Sequence, residues 1–213
     1  MAEDPHILGL ALGGGAFRGT AHLGVLKALE EEGLRPGSLC GTSAGAMAAA
    51  FYAFGMPPEE IRNVARNLRW LKATNFTFSK LGLLSNNEIG KFIEKYLGEV
   101  QIEDSSIPLA IVAADISTGE KVVFKTGSLA TAIMASTCIP GVFMPTLVDG
   151  RMLVDGAIVE NVPIKVLQEM GPKVCVGGHL GSGGYRQPET LVEVLLNAFS
   201  IAIDRTIHHQ GEN

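Results

Sequence analysis

The sequence predicts an α/β fold, a three-layer α/β/α sandwich around a mostly parallel central sheet. Short apolar runs alternate along the chain with segments of helical periodicity. The runs are continuously apolar, which is typical of strands buried on both faces of a parallel sheet. With 213 residues, of which 46% are apolar and 18% charged, the chain can bury one large core. We therefore expect a single domain over residues 1–213.

The first half of the chain contains two strand–turn–helix units. Residues 7–12 form an apolar run that the glycines at 13–15 interrupt, and a helix is expected from about 20 to 32. A second short strand at 38–40 leads to Ser43 and to a helix that ends near residue 54. This succession is the pattern of a sheet covered by helices on both faces.

The second half continues the alternation. Further strands are predicted at 109–114, 121–125, 152–154 and 174–176, and further helices from Pro57 onward and at 85–98, 128–135, 164–170 and 189–207. Residues 67–105 interrupt the order with helices and polar loops, and this segment is a candidate lid or substrate-binding elaboration.

Charge and composition exclude several classes of protein. The net charge is −5 and no Lys/Arg cluster is present, so nucleic acid is not an expected partner. Cys40, Cys138 and Cys175 lie in apolar runs and are expected to be buried, reduced thiols of a cytoplasmic protein. The chain begins with acidic residues and has no apolar run of the ~20 residues that a membrane span needs. We expect a soluble protein, with contact at a membrane surface left open.

Residues Gly41-Thr42-Ser43-Ala44-Gly45 are the most informative segment. Gly-x-Ser-x-Gly between a strand and a helix is the pattern of a nucleophile elbow. The turn is too sharp for side chains beside the serine, and the serine hydroxyl lies at the positive end of the following helix. That end favours the negative charge that develops when a hydroxyl attacks a carbonyl. Ser43 is therefore a candidate nucleophile.

The glycine-rich loop Gly13-Gly14-Gly15-Ala16-Phe17-Arg18-Gly19 follows the first strand. Arg18 occupies the last glycine position of the dinucleotide-binding pattern, so that interpretation fails. Successive glycines also expose backbone amides that can form an anion-binding concavity, and beside a nucleophile this would be an oxyanion hole. Arg18 would either add positive charge there or anchor the helix.

Asp155 follows the predicted strand at 152–154 and precedes Gly156. An acid at this point is expected at the carboxyl edge of a parallel sheet, where the sites of such folds lie. A serine nucleophile needs a base, which is usually histidine. The order Ser43, Asp155, His179 matches the triad of α/β-hydrolases. Spacing alone leaves open whether Asp155 acts directly or orients His179.

Several segments together resemble the patatin-like phospholipase family. They stand in the family's order and cover about residues 7–176. They are residues 13–30 (GGGAFRGTAHLGVLKALE), 41–45 (GTSAG), 113–120 (AADISTGE), 135–145 (ASTCIPGVFMP), 155–157 (DGA) and 161–163 (NVP). The chain departs from the family pattern at Ala157, where glycine is commoner, and at Phe17, one residue more than the shortest form of the loop.

The resemblance implies a lipid acyl hydrolase that uses a Ser-Asp dyad without a catalytic histidine. Ser43 would be the nucleophile and Asp155 the base. The amides of Gly14, Gly15 and Ala16, helped by Arg18, would form the oxyanion hole. The substrate would be a lipid or another ester, and no metal or cofactor is implied.

Two other functions compete with this interpretation. One is an esterase with a Ser-His-Asp triad that includes His179. The other is a non-catalytic scaffold of the same fold, against which the intact Ser43, Asp155 and glycine loop argue.

The predicted helix at 189–207 is apolar around most of its circumference. Its polar residues form one narrow stripe of Glu193, Asn197, Ser200 and Asp204. An amphipathic helix on a globular surface normally has a narrower apolar arc. Packing within the chain would explain this pattern. We expect instead that a second copy of the protein or a lipid surface covers the outward side.

Overall fold

The computed structural model describes residues 7–67, 84–181 and 187–210. Its strands are β1 (Leu8–Leu12), β2 (Ser38–Thr42), β3 (Leu109–Asp115), β4 (Lys121–Phe124), β5 (Thr146–Val148), β6 (Arg151–Asp155) and β7 (Val174–Gly178). Its α-helices are α1 (Ala21–Glu31), α2 (Ala44–Ala53), α3 (Pro58–Asn67), α4 (Asn87–Leu97), α5 (Leu129–Ser136), α6 (Ile164–Glu169) and α7 (Leu191–Gln210).

The strands form one mixed sheet in the order β5-β6-β3-β2-β1-β7, with β4 also paired to β3. The four strands β7, β1, β2 and β3 are parallel neighbours. β4 and β6 are antiparallel to β3, and β5 is antiparallel to β6. The α/β class is confirmed, but only half of the sheet has the parallel arrangement that was predicted.

Short connections explain two of the three antiparallel pairs, β3 with β4 and β5 with β6. Two strands that are joined by a tight turn must run in opposite directions, whereas parallel strands need a long crossover. β5 and β6 are joined by Asp149 and Gly150, whose φ angles are 48° and 78°. Positive φ at both central residues is the conformation of the two-residue hairpin turn that Asp-Gly favours.

Helices cover both faces of the sheet, as the predicted sandwich requires. On one face, the leucines and isoleucines of β1, β2 and β3 pack against α1 to α5 in the larger core. On the other face, Ala11, Cys40, Ala110 and Val112 alternate with those residues and pack against Val166 and Leu167 of α6. Small residues on the second face let α6 approach the sheet closely.

The segment predicted as a lid, residues 67–105, is described in part. Residues 68–83 lie outside the described residues. In the remainder, α4 buries Phe92 and Ile93 in the larger core. The Phe92 ring lies 6.2 Å from that of Phe51 and 4.9 Å from that of Tyr96. α4 is therefore part of the folded core.

None of the described helices combines the length and the apolarity that crossing a bilayer requires.

Candidate active site

Ser43 lies at the turn between β2 and α2, in a backbone conformation with φ 54° and ψ −122°. A non-glycine residue in such a region costs on the order of 1–3 kcal/mol. The flanking glycines are required by close approach. A Cβ on Gly41 would lie 2.5 Å from the Ala46 Cα, and one on Gly45 would lie 2.0 Å from the Leu12 carbonyl oxygen. The sharp turn predicted from Gly-x-Ser-x-Gly is thus present.

Ser136 holds this strained turn in place. The Ser43 N–H donates to the Ser136 Oγ over 2.8 Å, and the Ser136 hydroxyl donates to the Val112 carbonyl over 2.7 Å. Ser136 is fully buried at the end of α5. Its hydroxyl therefore links the nucleophile turn to β3, the strand next to β2.

The Ser43 hydroxyl donates directly to the Asp155 carboxylate, with 2.6 Å between Oγ and Oδ2. Asp155 has no exposed surface. Its other oxygen, Oδ1, accepts from the Ala157 N–H over 2.9 Å. Gly156 is needed for this turn, because a Cβ there would lie 2.4 Å from the Val112 carbonyl oxygen. Both carboxylate oxygens thus have one defined donor each.

Burial raises the pKa of Asp155 to about 7, while the hydrogen bonds from Ser43 and Ala157 oppose that rise. Desolvation disfavours the charged form of a carboxyl group, and donors to the carboxylate favour it. A carboxyl with a pKa near neutrality is suited to accept and return a proton.

Asp155 lies next to Ser43 through a different strand arrangement from the one that the sequence indicated. β6 is antiparallel to its neighbour, so Asp155 does not lie at the carboxyl edge of a parallel strand. β2 ends at Thr42, opposite Val112, and β3 continues to Asp115. β6 pairs with this overhang and runs back along it until Asp155 lies opposite Ala113. Asp155 therefore lies beside the end of β2.

The glycine loop lies against Ser43, but one of its amides is already occupied. The Gly14 N–H, predicted as an oxyanion donor, donates to the Asn161 side-chain oxygen over 2.9 Å. A Cβ on Gly14 would lie 3.2 Å from the Ser43 Cβ, which places the loop beside the nucleophile. Gly15 precedes a short 3-10 helix, Ala16–Thr20. The Arg18 guanidinium donates to the Gly181 carbonyl, beyond β7.

The two histidines with described surroundings take different positions. His179 follows β7 and is exposed. His22, on α1, is buried, and its Nε2 lies 2.7 Å from the Gly13 carbonyl oxygen. Ser43 and Asp155 bond to each other with no imidazole between them.

The supporting roles of Ser136, Asn161 and His22 were missed at the level of the sequence. Each is a polar residue that contacts a backbone group elsewhere in the chain, 93 residues away for Ser136, 147 for Asn161 and 9 for His22. Their burial is a signal that only packing reveals. Within the described ranges, no group of three or more His, Cys, Asp or Glu side chains is arranged to hold a metal ion.

Comparisons with known proteins agree with this fold. The family model described as patatin-like phospholipase matches residues 10–167. An NTE family protein of Mycobacterium tuberculosis is 38% identical over 194 residues, which are 87% of this chain and 54% of the relative. Lysophospholipase NTE1 of Mycosarcoma maydis is 32% identical over 183 residues, 82% of this chain and 10% of the relative.

More distant relatives extend the comparison. The human patatin-like phospholipase domain-containing protein 6 is 32% identical over 186 residues, 82% of this chain and 13% of that protein. The chain thus spans about half or less of the length of these relatives. Among solved structures, VipD from Legionella pneumophila has a similar fold, with a TM-score of 0.61 and 18% identity over 75% of this chain and 47% of VipD. By the extent of the family match, this chain belongs to the patatin-like phospholipase family.

Proposed function

We propose that the protein is a serine lipid acyl hydrolase that works with a Ser43–Asp155 dyad and a covalent acyl-Ser43 intermediate. The 2.6 Å hydrogen bond from the Ser43 hydroxyl to the buried Asp155 carboxylate carries this proposal. This distance is within the range over which a general base accepts the proton of a nucleophile, which supports the proposal.

In the acylation step, Asp155 takes the proton of the Ser43 hydroxyl as Oγ bonds to the ester carbonyl carbon. The carbonyl oxygen becomes an oxyanion in the tetrahedral intermediate. When this intermediate collapses, the bond to the leaving alkoxide breaks and Asp155 returns the proton to it. The products are a free alcohol and acyl-Ser43.

In the deacylation step, water takes the place of the alcohol. Asp155 accepts a proton from the water as its oxygen attacks the acyl carbon. Collapse of the second tetrahedral intermediate breaks the bond to Ser43 Oγ, which recovers its proton from Asp155. A carboxylic acid is released.

We place the oxyanion on the amides of Gly15 and Ala16. The Gly14 N–H already has an acceptor in Asn161, so it is not the donor in this arrangement. The start of α2 supplies the positive end of a helix dipole at the same point. Arg18 holds the loop to the segment after β7 through Gly181, which fits the anchoring role.

A triad with His179 is the competing mechanism. Direct contact between Ser43 and Asp155 favours the dyad, because in a triad the imidazole lies between the serine and the acid. We expect His179→Ala to keep most of the activity towards short-chain esters. A loss as large as that of Ser43→Ala would favour the triad.

The names of the relatives support a proposal for the substrate class. Two of them are named as a lysophospholipase and a patatin-like phospholipase domain-containing protein. We propose lipid acyl esters, with lysophospholipids and phospholipids as the first compounds to test. The panel should also contain short-chain esters and should be run with wild type, Ser43→Ala and Asp155→Ala.

The same experiment tests whether the protein is only a scaffold. If the dyad acts as a unit, each single variant should lose activity and the double variant should lose no more. A folded Asp155→Ala protein that remains active would contradict the dyad. Absence of reaction between wild type and a fluorophosphonate serine probe would favour the scaffold.

We further propose that a second copy of the protein covers α7. The outward side of this helix is an apolar stripe of Leu191, Val194, Ala198, Ile201 and Ala202, which are all exposed. Leu191, Val194 and Ile201 are 63%, 47% and 43% exposed. A lipid surface is the alternative partner for this side of α7.

A further inference from the structure

The peptide group between Gly13 and Gly14 is held at both ends by buried side chains. Its carbonyl oxygen lies 2.7 Å from the His22 Nε2, and its N–H lies 2.9 Å from the Asn161 Oδ1. His22 is 1% exposed and Asn161 is 7% exposed. One peptide plane of the glycine loop is thus fixed by α1 on one side and by the segment after β6 on the other.

The carbonyl determines the tautomer of His22. A carbonyl oxygen can only accept a hydrogen bond, so Nε2 must carry the proton. Nδ1 has no hydrogen-bond partner among the described residues. It faces Gly178 of β7, where an added Cβ would lie 3.2 Å from it. Burial lowers the pKa of His22, in agreement with a neutral ring.

The fixed peptide lies next to the reaction centre. Gly14 is close enough to Ser43 that a Cβ on Gly14 would lie 3.2 Å from the Ser43 Cβ. Glycine has little intrinsic preference between positive and negative φ, so three glycines in succession could adopt many loop conformations. A rotation of this peptide would carry the amides of Gly15 and Ala16 with it. Hydrogen bonds to both its carbonyl oxygen and its N–H remove that freedom.

We propose that His22 and Asn161 are positioning residues that orient the oxyanion loop by fixing the Gly13–Gly14 peptide plane. Neither touches the substrate. They act through the backbone. Both are buried polar side chains that take no part in the dyad itself.

This proposal rests on the acyl hydrolase function proposed above. The experiment therefore begins with wild type and Ser43→Ala on the best ester of the panel. If wild type shows no Ser43-dependent turnover, the proposed function fails. If it does, the variants of His22 decide the present proposal.

His22→Gln and His22→Met form a matched pair. Their side chains have similar length, but only glutamine offers an N–H that can reach the Gly13 carbonyl. We expect His22→Met to lower kcat by about 10- to 100-fold, which is less than the roughly 10²- to 10³-fold loss on removing an oxyanion donor, because the donor amides stay in place and are only less well oriented. KM should change by less than about 3-fold, and His22→Gln should recover most of kcat. Equal activity of both variants, whether high or low, in folded protein would overturn the proposal.

Asn161→Leu provides a second variant of the same peptide. It removes the side-chain acceptor of the Gly14 N–H and leaves only the longer bond, 3.4 Å, to the Asn161 carbonyl, and we expect the same selective loss of kcat. An unchanged kcat in folded Asn161→Leu would contradict the role of Asn161.

A measurement without turnover keeps the proposal testable if His22→Met does not fold. In ¹⁵N-labelled wild type, the ring of His22 should be the neutral tautomer with the proton on Nε2. The resonances are assigned by their loss in His22→Gln. A ring protonated only on Nδ1 would overturn the proposal whatever the kinetics.

Discussion

Ser43 occupies a backbone conformation that few non-glycine residues adopt, and a short chain of hydrogen bonds stabilises it. The Ser136 hydroxyl accepts the Ser43 N–H and donates to the Val112 carbonyl. The turn therefore does not depend on α2 alone. Strain at an active site persists where the surrounding structure fixes it, and here the fixing group is a single hydroxyl.

Removal of that hydroxyl should lower both the free energy of unfolding and kcat. Ser136→Ala leaves the buried Ser43 N–H without an acceptor, which costs about 1–3 kcal/mol in the free energy of unfolding. We expect kcat to fall because the nucleophile turn is less well fixed. Denaturant unfolding and ester kinetics would measure the two effects.

Ser106→Ala is a control for Ser136→Ala. Ser106 is exposed, and its hydroxyl also donates to a backbone carbonyl, that of Ala53, over 2.6 Å, at the opposite end of α2 from Ser43. We expect kcat to remain unchanged. Equal loss of kcat in both variants would contradict a specific role for Ser136.

The raised pKa of Asp155 predicts the pH dependence of activity. The dyad needs the carboxylate form of Asp155, and burial raises its pKa to about 7. Below that pH the carboxyl is protonated and cannot accept the proton of Ser43. We expect kcat/KM to rise with pH through about 7 and then to level off, as a pH profile of the free enzyme would record. A rise centred near pH 4 would show an unperturbed carboxyl.

At the scale of elements, the turn between β5 and β6 leads into the strand that ends with Asp155. Asp149 and Gly150 both have positive φ, and alanine is strained at such a position. Gly150→Ala should lower the free energy of unfolding by about 1 kcal/mol or more. Thermal or denaturant unfolding would measure it.

Gly24→Ala is a control that should not lower the free energy of unfolding. Gly24 lies on the exposed side of α1, and an added Cβ there meets nothing within 4 Å. Gly24→Ala should leave stability unchanged or raise it by about 0.5–1 kcal/mol, because alanine favours the helix interior. Destabilisation by both changes alike would contradict the account of the turn.

The sequence allowed several elements to be predicted closely because their signals are local. The helix predicted at 20–32 is α1 (Ala21–Glu31), and the strand at 109–114 is β3 (Leu109–Asp115). β5 was missed because three residues are too few for a periodic pattern. Strand direction was wrong for β6, since apolar content does not determine whether a strand runs parallel or antiparallel to its neighbour.

The site was predictable only in its outline. Motifs led to Ser43 and Asp155, which the fold brings together across 112 positions of sequence. The hydrogen bond from the Gly14 N–H to the Asn161 side chain, 147 positions away, has no local signal in the sequence. Such contacts arise from packing, and sequence spacing carries no record of them.

At the scale of the whole molecule, α7 is the least enclosed helix of the described structure. Its inner side carries Leu195, Phe199 and Ile203, which are half-buried, while its outer stripe is exposed. Burying one such aliphatic side chain is worth about 1.5–3 kcal/mol. An exposed stripe of this kind is typical of an interaction surface.

We expect size-exclusion chromatography with light scattering to give a dimer. Val194→Lys with Ile201→Lys should convert it to a monomer, while Glu193→Lys, on the polar side of α7, should not. Sedimentation with phosphatidylcholine vesicles separates the lipid alternative, in which wild type is monomeric and binds vesicles. A monomer that ignores vesicles would contradict both.

Because β6 pairs with the end of β3, the distance between Ser43 and Asp155 depends on the register of these two strands. Asp155 faces Ser43 only because it stands opposite Ala113 on the overhang of β3. A slip of one residue would move the carboxylate by about 3.3 Å and turn it to the opposite face of the sheet. The Asp149–Gly150 turn, at the far end of β6, fixes the pairing of β5 with β6, whereas the pairing of β6 with β3 aligns Asp155 with Ala113. Because this alignment must be kept for Asp155 to face Ser43, an inserted or deleted residue within β6 should be far less tolerated than a substitution there.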